Sequence, residues 1–218
     1  MTVKRLFLAI LINSFLASSS LFAEGIVIST TSGGNSFPLV ANNTSATIVI
    51  DNNDVEVVKI AAEAFSSDVK LLTGVSPVIK NTAANLSVII GTLGKSSLID
   101  QLASSGKIDR SRLEGKWETF CISVIDNPMS GVSKGLIVAG SDPRGTAFGV
   151  FELSRMMGVS PWVWFADVTP EAKEAIYVSG DEIFGPPSVK YRGMFINDED
   201  WGMQPWAAKN IDTNIRPN

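Results

Sequence analysis

Four short apolar runs constrain this chain more than any other feature. They are Ala46-Thr47-Ile48-Val49-Ile50, Leu86-Ser87-Val88-Ile89-Ile90-Gly91, Phe120-Cys121-Ile122-Ser123-Val124-Ile125 and Gly135-Leu136-Ile137-Val138-Ala139-Gly140. Rich in β-branched residues and shorter than ordinary helices, they read as strands. Between the first two, Val58, Ala61, Phe65, Val69 and Leu72 recur at steps of three and four, with Lys59, Glu63 and Lys70 off the stripe. That is the period of an amphipathic helix, stopped by Gly74, and Asp54 is placed to cap its start. A second helix follows Ser141-Asp142-Pro143-Arg144-Gly145, with Ala147, Val150, Phe151, Leu153 and Met157 on its apolar side and Gly158 at its end. Ser96 to Ala103 reads as a short helix. Gly25 to Ile28, Pro77 to Ile79 and Tyr177 to Ser179 read as short strands. Alternation of strands and helices predicts an α/β layer sandwich: a sheet of mixed direction covered by two main helices.

The first residues follow a different rule. Lys4 and Arg5 precede a short apolar run from Leu6 to Ile12, and small residues lead to Ala23. This pattern predicts a secretory signal peptide over residues 1–23, and secretion to the periplasm or the extracellular space. An uncleaved anchor is the other reading. The run is shorter than the ~20 residues a membrane span needs, so no stable membrane anchor is expected. Cys121 is the lone cysteine, so no internal disulfide can form. Histidine is absent, which removes Ser-His and Cys-His catalysis and most zinc sites. A net charge of −4 without a basic block argues against nucleic acid as a partner.

Three segments could carry chemistry. Gly91-Thr92-Leu93-Gly94-Lys95-Ser96 has the look of a phosphate loop, but two residues between its glycines are too few to wrap a phosphate. A strand-to-helix turn is the better reading. Trp162 and Trp164 stand two apart, so on an extended segment they face one way. Such a pair could be a sugar-stacking platform or an anchor packed against a second domain. Met194-Phe195-Ile196 ends at Asn197-Asp198-Glu199-Asp200. An acidic cluster at a strand end fits the mouth of a barrel enzyme, and it fits a solvated loop equally. Gly185-Pro186-Pro187-Ser188 marks a boundary, giving an α/β domain over 24–184 and a new element over 185–218.

Several blocks occur together in a specific order: Ile89-Ile90-Gly91-Thr92-Leu93-Gly94-Lys95-Ser96, Gly106-Lys107-Ile108-Asp109, Gly115-Lys116-Trp117-Glu118, Ala139-Gly140-Ser141-Asp142-Pro143-Arg144-Gly145-Thr146, Gly158-Val159-Ser160-Pro161-Trp162, and Gly185-Pro186-Pro187-Ser188-Val189-Lys190-Tyr191-Arg192-Gly193. From about residue 35 to about residue 205 this order resembles the amino-terminal portion of glycoside hydrolase family 115, the secreted xylan α-1,2-glucuronidases. The resemblance implies an α/β domain followed by a (β/α)₈ catalytic barrel and further domains. It implies inverting removal of glucuronic acid, or its 4-O-methyl ether, from glucuronoxylan. Tyr191 to Ile196 would be the first barrel strand. Asp198 and Glu199 would be catalytic, and Asn197, Asp200, Trp162 and Trp164 would bind substrate.

No metal or cofactor is implied, and a homodimer of the full-length protein is left open. The chain stops at Asn218, so the barrel is expected to be truncated after its start and the chain alone inactive. A non-catalytic carbohydrate-binding or interaction module is one alternative. A related uronidase or hexosaminidase with the same two-domain start is another.

Overall fold

The computed structural model describes residues 25–163, 166–193, 195 and 209. The expected signal segment lies outside them. The strands are β1 (Val27–Ser29), β2 (Phe37–Ala41), β3 (Thr44–Ser45), β4 (Thr47–Ile50), β5 (Ile79–Lys80), β6 (Leu86–Thr92), β7 (Phe120–Met129), β8 (Val132–Gly140), β9 (Ile176–Ser179) and β10 (Asp181–Phe184). The α-helices are α1 (Glu56–Thr73), α2 (Ser97–Ser104) and α3 (Pro143–Met157).

The main sheet has six strands in the order β10-β7-β8-β6-β4-β5. β5, β4, β6 and β8 run parallel, while β7 is antiparallel to both β8 and β10. The direction is therefore mixed, as the sequence pattern predicts. Parallel neighbours need a crossover, and α1 supplies the one between β4 and β5. β7 and β8 need only the two-residue turn Ser130-Gly131, because Met129 pairs with Val132.

Alternation along the strands divides the core in two. Ile48, Ile50, Val88, Ile90, Ile122, Leu136 and Val138 pack with Val58, Phe65 and Val69 of α1 and Val150 and Leu153 of α3. Val49, Ile89, Cys121, Ile137 and Ala139 point the other way, onto Ile99 and Leu102 of α2 with Ile108 and Leu113. The two main helices thus share one face, and the other is covered by a short helix and the loop that follows it. Fully burying one such side chain contributes roughly 1.5–3 kcal/mol. α1 and α3 each end at a glycine in the left-handed region, Gly74 at φ +76° and Gly158 at φ +107°, where a side chain is disfavoured.

The sheets and main helices depart from the sequence expectation at three places. A second sheet, ordered β1-β9-β2-β3, adds Phe37, Leu39, Ile176 and Val178 to the first core cluster. Asp54 does not cap α1. Val55 is the residue at the cap position, and the Asp54 carboxylate instead accepts from the Thr92 N–H at 2.7 Å. Phe151 is 47% exposed rather than on the buried side of α3. The reason is angular: one residue beyond Val150 is a turn of about 100° around the helix.

The chain divides into two compact units, residues 1–187 and 188–218. In the second, Tyr191, Arg192, Gly193 and Phe195 are not in a strand, and Tyr191 and Phe195 are 86% and 90% exposed. The remaining residues of the expected first barrel strand, Met194 and Ile196, lie outside the described residues. Among the described residues no helix is long and apolar enough to cross a membrane.

Candidate functional site

In open α/β sheets the ligand crevice forms beyond the carboxyl ends of the parallel strands. Here β4, β6 and β8 end at Ile50, Thr92 and Gly140. Three carboxylates follow close behind: Asp51, Asp54 and Asp142.

Each is held by the protein's own donors. Asp51 accepts from the Ser97 hydroxyl and N–H and from the Asn53 N–H. The Ser97 hydroxyl, before the others, holds its carboxyl below the usual range. Asp54 joins the start of α1 to the end of β6 through Thr92. Asp142 caps α3 by accepting from Gly145 N–H at 2.8 Å, and also accepts from Glu118 N–H at 2.7 Å.

The turn from β6 into α2 completes the closure. An anion site needs backbone N–H groups left over for the ligand. Thr92 N–H donates to Asp54, Leu93 N–H to the Gly140 carbonyl and Gly94 N–H to Asp100. Lys95 and Ser96 N–H both donate to the Thr92 carbonyl, and Ser97 N–H to Asp51. From Thr92 to Ser97 every N–H has an internal acceptor. Space is closed too: a Cβ on Gly91 would stand 2.7 Å from Ser96 Oγ, and one on Gly140 would stand 2.2 Å from Thr146 N. The segment is the strand-to-helix turn that its glycine spacing predicts, with no room for a phosphate.

Trp162 sits in the turn after α3 and is 59% exposed. Val159 N–H returns to the Ser154 carbonyl, Ser160 Oγ accepts from Trp162 N–H, and Val163 N–H reaches the Ser160 carbonyl. Residues 161–163 form a turn and not extended chain. Trp164 lies outside the described residues, as do Asn197, Asp198, Glu199 and Asp200. Of the six predicted site residues only Trp162 is among the described residues. Among the described residues no group of three or more Cys, Asp or Glu side chains is placed to hold a metal ion.

Comparison with known proteins supplies what the geometry does not. The family model for glycosyl hydrolase family 115 matches residues 184–218. Among solved structures, a family GH115 4-O-methyl-α-glucuronidase, BtGH115A, described as having specificity for decorated arabinogalactans, is 41% identical. The likeness covers 77% of this chain at a TM-score of 0.64. The chain belongs to glycoside hydrolase family 115. It spans 21% of the length of that family 115 relative. A second solved structure, CpGH84D, is 11% identical with a TM-score of 0.41, over 73% of this chain and 23% of its own. No match is found among curated protein sequences.

The family 115 model falls on the segment that contains the acidic cluster, and the structural likeness covers most of the chain. Sequence reasoning identified neither Asp54 nor Asp142 as a clamp on the sheet edge. A signal existed for Asp142, which precedes Pro143 as an N-cap precedes a proline at the first helical position. Asp54 carried none, since its partner Thr92 is 38 residues away.

Proposed function

We propose that this chain is the amino-terminal portion of a secreted inverting α-glucuronidase that removes glucuronic acid or 4-O-methylglucuronic acid from polysaccharide side branches. The 41% identity to a family 115 4-O-methyl-α-glucuronidase carries this reading. The acidic cluster at Asn197 to Asp200, inside the family match, supports it, and the amino-terminal pattern supports secretion. Glucuronoxylan is the substrate that the sequence resemblance implies. The relative's described specificity adds decorated arabinogalactan as the competing one.

In this reading the α/β unit is a support for the barrel. Its own sheet-edge carboxylates are committed to backbone donors, so the chemistry falls to the barrel mouth. Asp198 and Glu199 are the residues assigned to it. Inverting hydrolysis places an acid and a base about 6.5–9.5 Å apart around a water. In the barrel that the resemblance implies, adjacent residues at a strand end would point to opposite faces, so one of the pair would work with a carboxylate from another strand. The 218-residue chain alone is therefore inactive.

The test is substitution in a protein that carries the whole barrel. If Asp198 or Glu199 acts in proton transfer, Asp198→Asn or Glu199→Gln lowers kcat by about 10²–10⁴-fold. Full activity in both variants removes the residues from the mechanism while leaving the family activity standing. A non-catalytic carbohydrate-binding role rests on the exposure of Trp162. Saturable xylo-oligosaccharide binding that is lost in Trp162→Ala would favour it.

A further inference from the structure

A groove of about 250 Å³ opens between α1, α3 and the turn that follows α3. Ala64 and Asp68, one helical turn apart on α1, line one side, and Phe151 and Ser154 of α3 line another. Pro161 and Val163 contribute from the turn. The lining is mostly apolar, and the volume lies just below the ~300–1,000 Å³ range of ligand pockets.

Two polar groups in this lining are poorly served by the protein. Asp68 is a half-buried carboxylate that no Lys or Arg among the described residues pairs with. Burial pushes its carboxyl above the ordinary range, and the nearby Ser154 side chain partly offsets this. Arg155, a cation on the same groove, is already held in a fork by Glu152, with Nε to Oε2 at 2.8 Å and a terminal guanidinium nitrogen to Oε1 at 2.6 Å. Ser154 is 3% exposed, and its Oγ makes no hydrogen bond of ordinary geometry. A carboxylate in apolar surroundings, served only by a buried hydroxyl in poor geometry, is unfavourable, and a ligand donating to it relieves this.

We propose that this groove binds a small organic cation: an ammonium group donating to the Asp68 carboxylate and Ser154 Oγ, on a short apolar body lying against Phe151, Pro161 and Val163. Charge complementarity selects the cation. A neutral alcohol or sugar can donate hydrogen bonds but leaves the Asp68 charge uncompensated. The proposal does not depend on the glucuronidase reading.

Three probes of similar shape test it on the full 218-residue chain: benzylamine, benzyl alcohol and phenylacetate, followed by amide chemical shifts and calorimetry. Benzylamine is expected to saturate with a Kd of about 1 mM, benzyl alcohol to bind at least about tenfold more weakly, and phenylacetate not to bind. Asp68→Asn is expected to bring benzylamine down to the level of benzyl alcohol, and Ser154→Ala to weaken benzylamine severalfold. Equal affinity for amine and alcohol overturns the proposal, as does benzylamine binding unchanged by Asp68→Asn. So does a concentration-dependent molecular mass without amine binding, which would make the groove a self-association surface. If a variant fails to fold, the amine-to-alcohol ratio of the unaltered chain decides.

Discussion

The Thr92 and Thr146 hydroxyls meet 2.8 Å apart beneath the sheet edge, and Thr146 Oγ1 also donates to the Gly91 carbonyl at 3.2 Å. Both residues are buried. One hydrogen-bonded pair thus ties the end of β6 to the first turn of α3. Removing one hydroxyl leaves its partner short of an acceptor or donor inside the protein. Thr146→Val is expected to lose about 1–3 kcal/mol in urea unfolding, with part recovered in the Thr92→Val, Thr146→Val double variant. An unchanged midpoint in the single variant contradicts the assignment.

Gly140 is expected to tolerate no side chain. A Cβ there would stand 2.2 Å from Thr146 N, a backbone atom that no rotamer change can move. Gly140→Ala is expected to cost at least about 1–3 kcal/mol, read as a lowered thermal midpoint. A midpoint within error of the parent shows that α3 can lift from the sheet edge at no cost.

Asp68 reverses the usual acid dependence. Burial raises its folded-state pKa above the unfolded value near 3.8. The folded state then holds a proton that the unfolded state has released, so this group's contribution falls as pH rises through that window. Asp68→Asn is expected to stabilise the chain at pH 7, and its advantage to shrink below pH 3.8. Destabilisation of the apo chain by Asp68→Asn at pH 7 would contradict this account of the carboxylate.

Cys121 is buried, and burial pushes its thiol up to about 11. At pH 8 the native thiol is protonated and inaccessible, so an aromatic disulfide reagent is expected to react only at the rate of unfolding. The thiol's preference for the neutral form also makes stability fall as pH rises above about 9. Prompt native-state labelling would rule out this packing.

Inorganic phosphate and nucleotides are expected to leave the thermal midpoint unchanged at 10 mM, because a ligand of the folded state raises it. The residues from Thr92 to Ser97 have no N–H to offer.

The parts of the fold legible in the sequence are those fixed by local periodicity. The Val58-Ala61-Phe65-Val69-Leu72 stripe is buried as its spacing predicts, and the four apolar runs form β4, β6, β7 and β8. Features set by distant partners were not legible. β10 is a short acidic strand that exists through its pairing with β7. β2 contains Pro38, and its pairing with β9 shifts register between Pro38 and Val40. Proline is tolerated at such an irregularity but reads as a break in the sequence. At the candidate site, the acidic cluster was visible because four polar residues end an apolar run. The groove was not, because Asp68 lies off the apolar stripe of one helix and Ser154 belongs to another.

The most direct test of the central claim is release of free glucuronic or 4-O-methylglucuronic acid from glucuronoxylan and from decorated arabinogalactan. It should be measured for the 218-residue chain and for the protein extended through the DNA that follows the codon for Asn218. The account predicts release by the extended protein from at least one substrate and none by the shorter chain. Release by the 218-residue chain, or none from either substrate by an extended protein with the whole barrel, would contradict it.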